Sequence, residues 1–250
     1  KEARSLGISM GEKTAEDATP IEALPGDEEA EYNDYYKVSG YKMDTVTDLE
    51  TDVPLSKKVT GINADEARNL IPHLDGLMKA CGKVRDHWMD GGYSDYNNLA
   101  WMGVHRIRGH YPINENWVLN DVGDAANLMR LYQSYWKDCE FKSNADISFV
   151  LSFLLERGHV EEVGSFFRNN AMDRYVEDPL AYLKDYHRRS RQEGNHGYWK
   201  EHLGIESRLR VKGLVKVDCY LTRNLCSILA VALCRLQHGL KEKLTSIVYL

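Results

Sequence analysis

DISFVLSFLLERGHVEEVGSFFRNNAM, residues 146–172, is the stretch on which the sequence reading of the fold turns. Ile147, Val150, Leu151, Leu154 and Leu155 recur at three- and four-residue steps, the spacing that places side chains on one face of a helix. Gly158 ends that helix, and Val160, Val163, Gly164 and Phe167 start a second stripe at once. Two helices joined through a glycine make a hairpin, and the spacing predicts contact among Val150, Leu154, Val163 and Phe167.

Working outward, the same period returns on both sides. Asn63 with Glu66 has the spacing of a capping box, followed by Ala67, Leu70, Ile71, Leu74, Met78 and Cys81, with Gly82 as the end cap. Pro72 falls inside that helix and predicts a kink or a break. Asp124 can cap a helix carrying Leu128, Leu131, Tyr132, Tyr135, Trp136 and Cys139. Asp178 before Pro179 predicts another helix start. A long helix is expected from about Asp218 to His238, closed by Gly239. Residues 1–31 are acidic with little apolar periodicity, and residues 32–62 show no clear period. The expectation is an all-α chain of stacked helical hairpins, a short α-solenoid over 63–250, after an extended, irregular N-terminal segment over 1–62.

Helix-ending glycines support the repeat. Gly82, Gly123, Gly158, Gly194 and Gly239 stand 41, 35, 36 and 45 residues apart, and three sit in similar text: Glu156-Arg157-Gly158, Gln192-Glu193-Gly194 and Gln237-His238-Gly239. A unit of this size cannot bury its own apolar stripe and must stack on its neighbours. Through Gly158, His159, Val160, Glu161, Glu162, Phe166, Phe167 and Met172, the quoted stretch resembles a pentatricopeptide repeat. That resemblance implies RNA-reading positions at His73, Asn114, Phe149, Asp185 and Ala230; Phe149 and Ala230 are not the small polar residues such reading uses. The segment from Tyr36 to Thr47, YKVSGYKMDTVT, is similar to the N-terminal segment of the pentatricopeptide-type accessory subunits of euglenozoan mitochondrial ATP synthase.

The chain of 250 residues carries a net charge of −6 that is unevenly placed. Residues 1–34 hold ten acidic and three basic side chains, whereas residues 179–250 hold thirteen basic and six acidic ones. The five cysteines, Cys81, Cys139, Cys219, Cys226 and Cys234, form no C-x-x-C pair and read as small buried apolar residues. No run of eighteen apolar residues occurs, so no transmembrane segment is expected. Neither a phosphate-binding glycine loop nor a zinc-hydrolase or serine-hydrolase motif is present, and the histidine pairs His105/His110 and His196/His202 lack metal-ligand spacing.

These absences point to a non-catalytic chain with no cofactor and no metal. Lys184, Arg188, Arg189 and Arg191, with Arg208 and Arg210, form basic runs interleaved with aromatic residues. Such runs suit a nucleic-acid backbone, an acidic protein partner, or a solvated helix face. Tyr35, Tyr36 and Tyr41 in the lead-in suit a partner surface. The expected function is a scaffold or accessory subunit of a mitochondrial complex, soluble or peripheral, acting through protein contacts at these basic and tyrosine residues. The alternative is an organellar RNA-binding protein or mitochondrial ribosome subunit.

Overall fold

The computed structural model describes residues 9–114, 117, 121–135, 145–205, 209–240 and 243–246. Residues read above as an irregular lead-in form four strands: β1 (Lys13–Glu22), β2 (Glu31–Asn33), β3 (Val38–Asp48) and β4 (Pro54–Gly61). β1 and β3 pair antiparallel from Thr14↔Asp48 to Glu22↔Gly40. β4 pairs antiparallel along the other edge of β3, and β2 pairs with the first residues of β3. After helix α1 (Ala67–Cys81), β5 (Asp86–Trp88) returns parallel to β1, with Ala15 opposite Trp88. The chain is therefore mixed α/β, and the all-α solenoid is overturned by this sheet.

The described residues fall into two compact units. One takes in the chain up to Trp88 and again from Arg188; the other is Met89–His187. In the first unit, α1 covers one face of the sheet with Leu70, Leu74 and Leu77 buried beside Asn69 and His73. Asp65 accepts a hydrogen bond from the Ala67 N–H (3.1 Å) at the start of this helix, while Asn63, expected as the cap, donates to Glu31 and to the Tyr32 carbonyl. Pro72 sits within the helix, which runs on past it to Cys81, so the expected break does not occur.

The second unit holds α2 (Tyr96–Val104), β6 (Arg108–His110), α3 (Ala125–Ser134), α4 (Ile147–Glu156), α5 (Val160–Glu177) and α6 (Pro179–Tyr186). The α4–α5 hairpin is present: Gly158 turns at φ +87°, and Val150, Leu154 and Val163 share a buried cluster against which Phe167 packs. It is a local element of an α/β protein and not one unit of a solenoid. Asp124 and Asp178 cap α3 and α6 as expected, accepting from the Ala126 N–H (3.1 Å) and the Ala181 N–H (2.9 Å). Trp136 and Cys139 lie outside the described residues. At Gly164, α5 approaches α2 so closely that a Cβ would stand 2.4 Å from the Tyr96 carbonyl oxygen.

Returning to the first unit, α7 (Ser190–Leu203) and α8 (Leu214–Gln237) cover the second face of the sheet. Leu221, Leu225 and Ile228 of α8 and Trp199 of α7 join Ile21, Tyr41, Met43 and Val59 from the strands in one buried cluster. By length and composition α8 is apolar enough to cross a bilayer, yet its inward face belongs to this core. Gly194, expected to turn a hairpin, is an interior residue of α7. Cys219, Cys226 and Cys234 are exposed on α8, not buried.

Two glycine substitutions separate these readings by denaturant unfolding. Gly194→Ala should stabilise the protein by about 0.5–1 kcal/mol, because alanine is the better helix former in a helix interior and open space surrounds the position. A left-handed cap there would give destabilisation instead. Gly164→Ala should cost about 1–3 kcal/mol through overpacking against backbone that cannot yield.

Candidate active site

Side chains on a strand alternate between faces, so Glu16 and Asp17 of β1 point to opposite sides of the sheet. Glu16 lies against His73 of α1, while Asp17 faces the segment that begins α7. Arg189, the residue before α7, places Nη1 3.3 Å from Asp17 Oδ1 and Nη2 2.6 Å from Glu193 Oε1. One guanidinium thus joins a carboxylate on the central strand to a carboxylate on the helix. The Asp17 side chain is 17% exposed and that of Glu193 55% exposed, so both carboxylates reach the surface.

A buried network of neutral groups holds α7 over β3. The Thr47 hydroxyl donates to Gln192 Oε1. Gln192 Nε2 donates to the Thr45 carbonyl (3.2 Å) and to Thr45 Oγ1 (2.9 Å), and lies 3.2 Å from His196 Nε2. Thr45 Oγ1 is 2.7 Å from the same His196 nitrogen. With the amide and the hydroxyl both able to donate to Nε2, the hydrogen-bond pattern assigns the ring proton to Nδ1, which stands 3.8 Å from Asp17 Oδ2. Burial, then the charges of Lys200 and Arg189, push the His196 pKa down to about 3, so the ring is neutral and its approach to Asp17 is not an ion pair.

In the second unit, Asp90 opens a 3-10 turn at Gly91–Tyr93 and accepts from the Gly91 N–H at 2.6 Å. It is exposed, whereas Tyr93 is buried and its carbonyl accepts from Asn98 Nδ2 (2.9 Å).

Of the residues singled out in the sequence, Arg189 alone is brought between these carboxylates. Arg188 is exposed, with its guanidinium 5.5 Å from the Trp88 ring. Arg191 pairs with Asp52 at 2.8 Å. Lys184 is exposed on α6, Arg210 is exposed, and Arg208 lies outside the described residues. Tyr35 is exposed and meets Tyr36 edge-on at 5.0 Å, whereas Tyr41 is buried and donates to Asp27 Oδ2 at 2.9 Å. Asp17 went unremarked in the sequence, and Glu193 was read only as part of the text before Gly194. The available signal was an Arg189/Glu193 pair at i,i+4.

A profile of the transposase DDE domain family matches residues 9–230. The chain belongs to this family. The scaffold reading is therefore corrected: this is a catalytic domain and not a helical-repeat accessory subunit of ATP synthase, nor a pentatricopeptide RNA binder. The strand order, with antiparallel strands followed by a parallel one, is that of an RNase H-like fold. Among solved structures, the chain is similar to the HTLV-2 integrase catalytic core domain in complex with magnesium, in its dimeric form, at 12% identity over 58% of this chain and 83% of that one, with a TM-score of 0.29. It is also similar to the simian T-cell lymphotropic virus intasome in complex with PP2A regulatory subunit B56 gamma, at 15% identity over 64% and 50% of the two chains, with a TM-score of 0.31. No curated protein sequence matches the DDE transposase chain.

The family implies divalent cations, and the residues present fit one. Asp17 and Glu193 offer the hard oxygen donors that Mg2+ takes, and a positive group, the Arg189 guanidinium, already sits against both.

The network beneath the site should be measurable in folding. Gln192→Leu takes the acceptor from the Thr47 hydroxyl and a donor from the Thr45 carbonyl and Thr45 Oγ1 in a buried place. A loss of about 1–3 kcal/mol in urea unfolding is expected from those unsatisfied groups; an unchanged midpoint would show that the amide does not hold α7 to β3.

Proposed function

We propose that this DDE transposase domain breaks and rejoins phosphodiester bonds of DNA, with Asp17 and Glu193 among its metal-binding carboxylates. The observation that carries the reading is the arrangement of Asp17 and Glu193 about one positive group at the surface of the sheet.

Each residue then has a task. Asp17 and Glu193 would hold divalent cation, whose chemistry is to lower the pKa of a bound water or hydroxyl and to offset charge on the phosphoryl oxygens during in-line displacement. Until a cation takes its place, Arg189 keeps the two carboxylates together, offsetting the repulsion between like charges. His196, neutral and fixed by Thr45 and Gln192, turns its Nδ1–H side toward Asp17 and biases that carboxylate's orientation. Exposed Arg188 and Arg210 supply cations suited to backbone phosphates, which position a duplex without reading its sequence. A basic C-terminal stretch in a chain of net charge −6 suits this work, because only the surface near the reacting phosphate has to be positive.

The test is nicking of supercoiled plasmid by the full chain in Mg2+ or Mn2+ buffer. Asp17→Asn and Glu193→Gln should each lower the rate at least about a hundredfold, the scale of losing a group that stabilises the transition state. Thermal unfolding confirms that each variant folds. Retained nicking in folded Asp17→Asn or Glu193→Gln would remove this assignment.

A further inference from the structure

Below the sheet, on the face away from Asp17, β1, β3 and α1 bring a second set of ligand-type side chains together. The ligand atoms of Glu16, Asp44 and His73 all lie within 4.8 Å of one another. Glu16 is 0% exposed, Asp44 1% and His73 5%, so this is a sealed cluster and not an acidic surface patch. Two carboxylates in such a place are expensive unless something positive accompanies them.

The hydrogen bonds inside the cluster leave part of it unsatisfied. His73 Nδ1 is 2.9 Å from Glu16 Oε1, and Asn69 Nδ2 donates to Asp44 Oδ2 at 3.1 Å. Glu16 Oε2 and His73 Nε2 are buried and have no hydrogen-bond partner among the described residues. His87, also sealed, is oriented through Nδ1 by Thr14 Oγ1 (2.8 Å), and its Nε2 comes within 3.2 Å of Glu16 Oε2 without hydrogen-bond geometry. With the His73 Nδ1–H donating to Glu16 Oε1, His73 Nε2 and Glu16 Oε2 are left as buried acceptors without a donor, and a cation is what satisfies such lone pairs. A histidine held through one nitrogen, as His73 is through Nδ1, is also the usual arrangement around a metal.

We propose that Glu16, Asp44 and His73 form a structural site for a divalent transition cation of zinc type, with His87 bracing Glu16 from the other side. One nitrogen and two carboxylate oxygens are a donor set that zinc accepts. The residues come from β1, β3 and α1, so the bound ion ties the helix to the two central strands. A sealed site loads as the chain folds, and its binding energy adds to folding stability. This proposal stands apart from the assignment of Asp17 and Glu193, which lie on the other face.

The experiment refolds the full chain with and without Zn2+, removes loose ions by dialysis in magnesium buffer, and measures metal content by mass spectrometry and unfolding by calorimetry. The expected result is retention of about one zinc per chain, with a higher Tm than the protein refolded without it. Asp17→Asn should keep the zinc and His73→Ala should lose it. Should His73→Ala fail to fold, refolding the unaltered chain with Co2+ gives the second readout: visible d–d bands of a nitrogen- and oxygen-ligated ion are expected. Absence of retained metal together with an unchanged Tm would overturn the proposal, leaving a carboxylate–histidine pair only. Zinc kept by folded His73→Ala, or lost with Asp17→Asn, would overturn it equally by placing the ion elsewhere.

Discussion

Burying the polar centre of the β1–β3 pair is the constraint from which the rest of the first unit follows. Thr14, Glu16, Asp44, Thr45, Thr47 and Asp48 are all sealed from solvent, and an unpaired carboxylate or hydroxyl there would cost several kilocalories per mole. The strands pair with each other through their backbones, but the side chains must find partners on the covering helices. On one face α1 meets this need with Asn69 and His73. On the other, α7 does so with Gln192 and His196. Helix position and strand register are therefore set by polar matching as much as by the apolar cluster around Trp199, Leu221 and Met43.

The same requirement builds the catalytic surface. Because Gln192 and His196 lie four residues apart on α7 and both turn to β3, the residue next to Gln192 in the chain, Glu193, is fixed at the edge of that contact. Arg189, four residues before Glu193, spans from it to Asp17. Neutral hydrogen bonds below and a shared positive group above thus place two carboxylates without bringing them into direct repulsion. Each link uses short-range geometry that one substitution can remove, which is how a preorganised site is expected to be held.

The hairpin at Gly158 and the caps at Asp124 and Asp178 were legible in the sequence, because they depend on local period and local backbone chemistry. The sheet was not. A half-buried strand announces itself by alternation of apolar and polar residues, but β3 reads VSGYKMDTVTD and is buried on both faces, so its inward positions carry Lys42, Asp44, Thr45 and Thr47. α7 was obscured for a related reason. Its buried stripe is Gln192, His196 and Trp199 in place of leucine or valine, and Gly194 in its interior looks like an end cap. The site residues were invisible as a set because Asp17 and Glu193 are separated by most of the chain, and only the strand–helix contact brings them to one guanidinium. The repeat of glycines was a coincidence of spacing: Gly158 and Gly239 do turn the chain, whereas Gly194 does not.

The account rests on Asp17 and Glu193 being arranged to share a cation. Crystals of the full chain soaked in Mn2+, with data collected at the manganese absorption edge, test this most directly. An anomalous peak in contact with both the Asp17 and Glu193 carboxylates, with the Arg189 guanidinium turned from its present contacts, is the predicted result. No peak at Asp17 at a manganese concentration that supports DNA nicking, with the Arg189 pairings intact, would contradict it.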